Sequence, residues 1–246
     1  MLSFLKNHPF AVETHFEHST VLTFAVKKEE LESFIPECLT LDTFEDEWAF
    51  IAVALVQVKG LRPKGLPKFM GNDFYLAGYR VFVRYNDNRG KSLRGLYIIK
   101  SETNKKKMEF FGNLFTHYNY TTTDISDETN NDIRTVCSKK SDFSFRMDVK
   151  DVEKNLPANS PFKDWETARR FAGPLPFTFT YNKEKKEVLI IEGVRQNWKP
   201  KAVEVTECDF SFINNFNFKS CQLANAFVIE DVPYFWRKGK KEIWQP

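Results

Sequence analysis

Apolar and polar positions along the chain fall mostly into short runs of strand character, separated by turn residues. Residues 20–26 and 48–58 are rich in Val, Phe and Ile and read as buried strands. Residues 79–85 (Tyr-Arg-Val-Phe-Val-Arg-Tyr) alternate, Asn86-Asp87-Asn88-Arg89-Gly90-Lys91 supplies turn chemistry, and residues 93–102 return, which predicts a hairpin. A second hairpin is expected between residues 133–137 and 143–147, and a third between 176–181 and 187–192 across the polar residues 182–186. Strands in hairpin order, without alternating helices, predict a mostly antiparallel sheet. With this many strands the sheet must curl or close, so a curved, barrel-like core is expected.

Helical spacing stands out twice. Residues 28–35 place Leu31, Phe34 and Ile35 on one face, carry Glu29 and Glu30 in the first turn, and stop at Pro36. The second helix is expected to open on Ser160 as N-cap with Pro161 in its first turn. It would run through Phe162, Trp165, Ala168 and Ala172 to Gly173-Pro174. On that register Arg169 shares the apolar stripe, while Glu166 and Arg170 form an exposed pair. The expected class is α+β, mostly antiparallel, with about two short helices. No repeat, low-complexity tract or Gly/Ser linker divides the chain, so one continuous domain is expected.

Composition narrows this further. The 246 residues carry 36 basic and 33 acidic side chains, a net charge of +3, with 42% hydrophobic residues; disorder, coiled coil and collagen-like repeats are thereby excluded. Twenty-five phenylalanines lift the aromatic share to 15%, which favours strands and large packed cores. The longest apolar run, residues 49–56, is about a third of a membrane span, and the first nine residues lack a signal-peptide core. A cytoplasmic protein with no membrane partner is the expectation. Cys38, Cys137, Cys208 and Cys221 show no paired spacing and read as reduced thiols. On the same expectation the glycosylation sequon at Asn119-Tyr120-Thr121 has no use.

Candidate chemistry is sparse. Glycine-rich nucleotide loops, the nucleophile-elbow pattern and the paired-histidine zinc motif are all absent, so no cofactor is expected. His15 and His18 are the close histidine pair and lack a third ligand, so no metal is expected either. The clusters Lys105-Lys106-Lys107, Lys139-Lys140, Lys185-Lys186 and Arg237-Lys238-Gly239-Lys240-Lys241 read as solvated turns and a tail that contributes little to packing. With acidic residues almost balancing them, no nucleic-acid partner is expected. Residues 60–68, with two glycines, two prolines and three basic residues, form either a rigid loop closing a pocket or a plain connection.

Five residues within β-like runs remain: Arg80, Glu102, Asn113, His117 and Tyr118. Arg80 shares a strand face with Phe82 and Arg84. If that face meets water, Arg80 is an ordinary surface charge; if it lines a lumen, its planar fork suits a carboxylate.

The segments His15…Phe34-Ile35-Pro36…Leu39…Leu41-Asp42-Thr43-Phe44…Trp48, Val58-Lys59-Gly60-Leu61-Arg62-Pro63…Pro67 and Tyr79-Arg80-Val81-Phe82-Val83 resemble the YqjF-like family over residues 15 to 120. Residues 160–171 resemble a helix of that family more loosely. Leu76 and Gly78 depart from its pattern, which has Glu and Asn there.

That family resembles a branch of the acetoacetate decarboxylase-like superfamily. The resemblance implies a curved antiparallel β structure over residues 1–246 around an apolar cavity, and in the decarboxylases a Schiff-base lysine. Here Glu109-Phe110-Phe111-Gly112-Asn113-Leu114-Phe115-Thr116 stands in the lysine motif, with Phe115 and Thr116 at the two lysine positions. The expected function is binding of a small carboxylate-bearing molecule through Arg80, Asn113, Tyr118 and Arg169, without Schiff-base chemistry. The alternative is an enzyme using His117 or Glu102 as general acid or base. Either Glu102 satisfies the arginines as an internal ion pair, or a ligand anion does.

Overall fold

The computed structural model describes residues 5–150 and 155–245. Strand β1 (Val12–Lys27) leads into helix α1 (Lys28–Leu31), followed by β2 (Thr40–Leu41), β3 (Trp48–Pro63), β4 (Asn72–Asn86), β5 (Ser92–Thr103) and helix α2 (Lys106–Phe115). Next come β6 (Tyr120–Thr122), β7 (Ser126–Asn130), β8 (Ile133–Ser138), β9 (Phe143–Asp148) and helix α3 (Trp165–Ala172). The remainder is β10 (Phe177–Asn182), β11 (Glu187–Arg195), β12 (Lys201–Ala202), β13 (Glu204–Phe210), α4 (Ser211–Asn214), β14 (Gln222–Trp236) and β15 (Lys240–Ile243).

The large sheet runs β14-β1-β3-β4-β5-β10-β11 and curves until β11 pairs again with β14, through Gly193–Arg195 opposite Tyr234–Trp236. Its ladders are antiparallel except β5 with β10 and β5 with β6. All three expected hairpins form, as β4–β5, β8–β9 and β10–β11. The antiparallel expectation therefore holds.

The two faces of the large sheet have different fates. Ile51, Val53 and Leu55 of β3 and Tyr79, Val81 and Val83 of β4 are fully buried against Val136, Phe145 and Met147 of a second sheet, β13-β9-β8-β7. On the opposite face β3 offers Ala52 and Ala54, and β4 offers Gly78 beside Leu76 and Arg80. Small side chains on that face leave space between the strands and whatever covers them, where larger ones would have filled it.

One buried charge fastens the edge of this assembly. Asp42, fully buried just after β2, accepts from Arg84 Nε at 2.7 Å through one carboxylate oxygen. Its other oxygen accepts from Arg94 Nε at 2.7 Å and Nη2 at 2.6 Å. Arg94 also donates to the carbonyl of Phe171, tying α3 to the sheet.

Several expectations are corrected. The helix expected over residues 28–35 is a single α-helical turn, continued by a tighter turn at Glu32–Phe34. The N-cap of α3 is Asp164, whose carboxylate accepts from the Thr167 amide at 2.7 Å; Ser160 instead donates to the Ala224 carbonyl at 2.6 Å. Phe162 therefore precedes the helix, the buried stripe is Trp165, Ala168 and Ala172, and Arg169 at its edge is exposed. Lys106 and Lys107 begin α2 rather than a turn.

The basic tail is also docked: β15 pairs with β11, and Lys241 lies 2.8 Å from Glu187. Residues 1–4, part of the stretch expected to lack a signal-peptide core, lie outside the described residues. Among the described residues no helix is long and apolar enough to cross a membrane.

Candidate anion-binding cavity

The alanine and glycine face of β3 and β4 borders a cavity of about 580 Å³. That volume lies within the roughly 300–1,000 Å³ usual for small-molecule sites. Phe16, Val56, Phe74, Phe82 and Phe227 supply much of the apolar wall. Arg80, Arg195, Tyr118, Tyr120 and Tyr234 supply polar groups.

Arg80 is positioned by a register shift between β4 and β5, where Tyr79 pairs with Lys100 but Arg80 pairs with Ile98. Its guanidinium lies over Gly78: a Cβ there would come within 2.8 Å of Nη2. The departure from the family pattern at residue 78 thus makes room for the cation. Arg80 forms no ion pair among the described residues, and the ionisable groups facing it are the phenols of Tyr120, Tyr234 and Tyr118. Burial pulls its guanidinium below its ordinary value, yet an arginine stays charged. Its remaining surface is cavity wall.

Burial pushes all three phenols upward, Tyr120 to about 12, so each is a neutral hydroxyl at pH 7. Nearby Arg80 opposes that rise at each of them. The buried hydroxyl of Tyr118 lies beside Thr178, another residue of the cavity lining. Tyr234 stacks on Phe16 at 4.6 Å and is also felt by Arg195. Arg195 donates to the Pro174 carbonyl at 2.6 Å and sits over the Trp198 ring. Arg80 and Arg195 with three tyrosine hydroxyls, and no carboxylate among the cavity-lining residues, have the chemistry to receive an anion.

The other sequence candidates lie elsewhere. Asn113 sits in α2, not in a strand. It exchanges two hydrogen bonds with the backbone of Tyr120, at 2.8 and 2.7 Å, and so holds that ring in place. Gly112 beside it allows the close approach, since a Cβ there would lie 2.3 Å from the Tyr120 ring.

Glu102 is buried on the opposite side of the sheet from the cavity, near Tyr79. Lys100 lies 2.9 Å from it and Ser141 donates to it at 2.5 Å, so it does not satisfy Arg80. His117 is half-buried beside Asn7, 3.2 Å from its side-chain oxygen, away from the cavity lining. Arg169 is exposed on α3, outside the lining. His15 and His18 have separate partners, Asp231 and Thr20.

Sequence reasoning missed Arg195 and Tyr234, at the β11–β14 seam, and His8, at the cavity rim. The apolar run Ala224-Asn225-Ala226-Phe227-Val228-Ile229 was the available signal for β14, but not for the facing of Tyr234: Phe227 and Ile229 face the cavity at odd positions and Tyr234 and Trp236 at even ones, so simple alternation would have put Tyr234 on the other face. Residues 60–63 continue β3 after a bulge at Gly60, and Arg62, Pro63 and Leu66 border the cavity. Phe115 and Thr116, at the two lysine positions of the decarboxylase motif, both line the cavity; the lining's one lysine is the exposed Lys107.

The architecture is that of the acetoacetate decarboxylase-like proteins. The chain is similar to acetoacetate decarboxylase from Legionella pneumophila subsp. pneumophila str. Philadelphia 1, with TM-score 0.64 and 12% identity over 95% of this chain and 88% of that one. It is similar to an acetoacetate decarboxylase-like enzyme from Sphingomonas wittichii RW1, with TM-score 0.56 and 10% identity over 96% and 94%. It is also similar to the enduracididine biosynthesis enzyme MppR, with TM-score 0.57 and 7% identity over 95% and 88%. A comparison with curated proteins finds no match. The model of the family DUF2071, the uncharacterized conserved protein COG2071, matches residues 13–232, and the chain belongs to that family.

Proposed function

We propose that the protein binds a small organic acid in this cavity, with the ligand carboxylate on Arg80 and its apolar body against the phenylalanine wall, and without Schiff-base chemistry. The observation that carries the reading is Arg80 itself, a half-buried cation at a cavity wall with no anionic partner among the described residues. A charge largely withdrawn from water and left without a counter-ion is unfavourable, and an incoming carboxylate would supply both charge and acceptors. General acid–base chemistry at His117 or Glu102 lacks such support, because neither borders the cavity.

A thermal-shift panel of small carboxylates tests this. A ligand present at a hundredfold its Kd adds about 2.7 kcal/mol, or roughly 5–10 °C of Tm for a chain of this size. Arg80→Met should abolish the rise while leaving the unliganded protein at least as stable, since it removes an unpaired charge. No shift with any carboxylate, together with a large loss of Tm in Arg80→Met, would make Arg80 part of the scaffold. Separately, borohydride treatment with acetoacetate should leave no adduct on any lysine by mass spectrometry. A trapped lysine would overturn the exclusion of Schiff-base chemistry.

A further inference from the structure

Among the described residues seven large hydrophobic side chains are exposed, and five of them fall in two segments: Leu66, Phe69 and Met70 in one, Phe110 and Phe111 in the other. Both segments belong to one opening, because Leu66 and Met70 border the cavity together with Lys107 and Phe111. Phe69 is 86% exposed on a single tight turn, and Phe110 is 65% exposed on α2. Isolated surface apolar residues need no explanation, whereas a cluster of aromatics around one rim marks a contact surface.

The charges around the rim identify the partner. Lys64, Lys68, Lys105, Lys106 and Lys107 are exposed in the same two segments, and the last four make no ion pair among the described residues. The nearby carboxylates are engaged, Asp73 by the Gly60 amide and Lys59, and Glu109 by Thr122. Exposed aromatics interleaved with free lysines are the chemistry of the lipid–water interface: rings enter the headgroup boundary while ammonium groups meet anionic headgroups. A second copy of the chain fits less well, since a two-fold contact would bring these lysines against their own counterparts.

We infer that the cavity rim docks peripherally on an anionic membrane surface, through Phe69 and Phe110 as wedges and Lys68 and Lys105–107 as counter-charges. The expectation of no membrane partner rested on the absence of a spanning segment, which a peripheral contact does not need. The inference is independent of the anion site.

Co-sedimentation of the full chain with mixed phosphatidylcholine–phosphatidylserine vesicles at low salt tests it, with pure phosphatidylcholine vesicles as the comparison. Binding is expected to the anionic vesicles alone. Phe69→Asp with Phe110→Asp should abolish it, and Lys105→Glu with Lys106→Glu should weaken it by roughly fivefold or more per lysine. Both ring positions are exposed, so the fold should be intact by circular dichroism. Arg80→Met should bind vesicles like the parent, which separates failure here from failure at the cavity. No binding to anionic vesicles, or binding that survives both double substitutions, overturns the proposal. A dimer in analytical ultracentrifugation that Phe69→Asp with Phe110→Asp dissolves, without vesicle binding, assigns the rim to a second copy and overturns it equally.

Discussion

Asp42→Ala is expected to destabilise the protein by about 3–5 kcal/mol, the usual effect of breaking a buried ion pair from one side. The carboxylate is fully buried and holds both Arg84 and Arg94, so its removal leaves two guanidinium groups without their anion. Arg84 is 40% exposed and water can rescue it in part, which places the expected loss toward the lower end. Arg94 is less fortunate: it also carries the bond to Phe171 and lies over that ring, so α3 should loosen with it. Urea denaturation followed by circular dichroism measures the loss, and a change below about 1 kcal/mol would show that the cluster is not a clamp.

Acid should weaken the fold well above the range where carboxylates usually titrate. Burial lowers both His8 and His18 from 6.5 to about 4 in the folded protein. Around His18, Arg134 lowers the value further while Glu230 and Asp127 partly restore it. The unfolded chain therefore binds more protons than the native one between roughly pH 4 and 6.5, and unfolding free energy rises with pH across that window. Stability from these groups is complete above about pH 6.5 and is lost as the pH falls toward 4. A depression of this size corresponds to about 3 kcal/mol for His8, with a contribution of the same sign from His18. Denaturation midpoints at pH 7, 5.5 and 4.5 check it, with His8→Gln and His18→Asn expected to flatten the slope. A midpoint unchanged from pH 7 to pH 4.5 would refute it.

Alternation made the hairpins legible, because residues 79–85 and 93–102 are bounded by an unambiguous turn. It also limited the facing of Arg80 to two choices, solvent or lumen, and could go no further: parity sorts residues into faces without saying what lies on either side. The deciding facts are tertiary, namely the small residues Ala52, Ala54 and Gly78 across the same face. Helix α2 escaped notice because three consecutive lysines read as a turn and the aromatics after them as a strand. Its reason for being helical is largely the packing of Gly112 against Tyr120 and the Asn113 bonds, neither of which is a local signal. Arg169 was misplaced for a different reason. With the cap at Asp164 rather than Ser160, Phe162 leaves the helix, and without it the apolar stripe of Trp165, Ala168 and Ala172 no longer brackets Arg169, which is left at its edge. Asp42 stood in the motif that carried the family resemblance, but its two arginine partners lie 42 and 52 residues away and could not be paired with it from the sequence.

The pairing of β1 with β14 joins residues roughly two hundred positions apart, Ala25 opposite Gln222. Strand β3 covers one edge of β1 soon after both leave the ribosome, but the other edge waits for the last long strand. At about 5–20 residues per second that wait is on the order of 10–40 s. For that time the nascent chain carries a sixteen-residue strand, mostly apolar in its second half, with one row of backbone donors and acceptors open to any passing edge. Such a chain folds late and slowly for its size, and its yield in a cell depends as much on what shields β1 during synthesis as on how firmly the finished sheet is held.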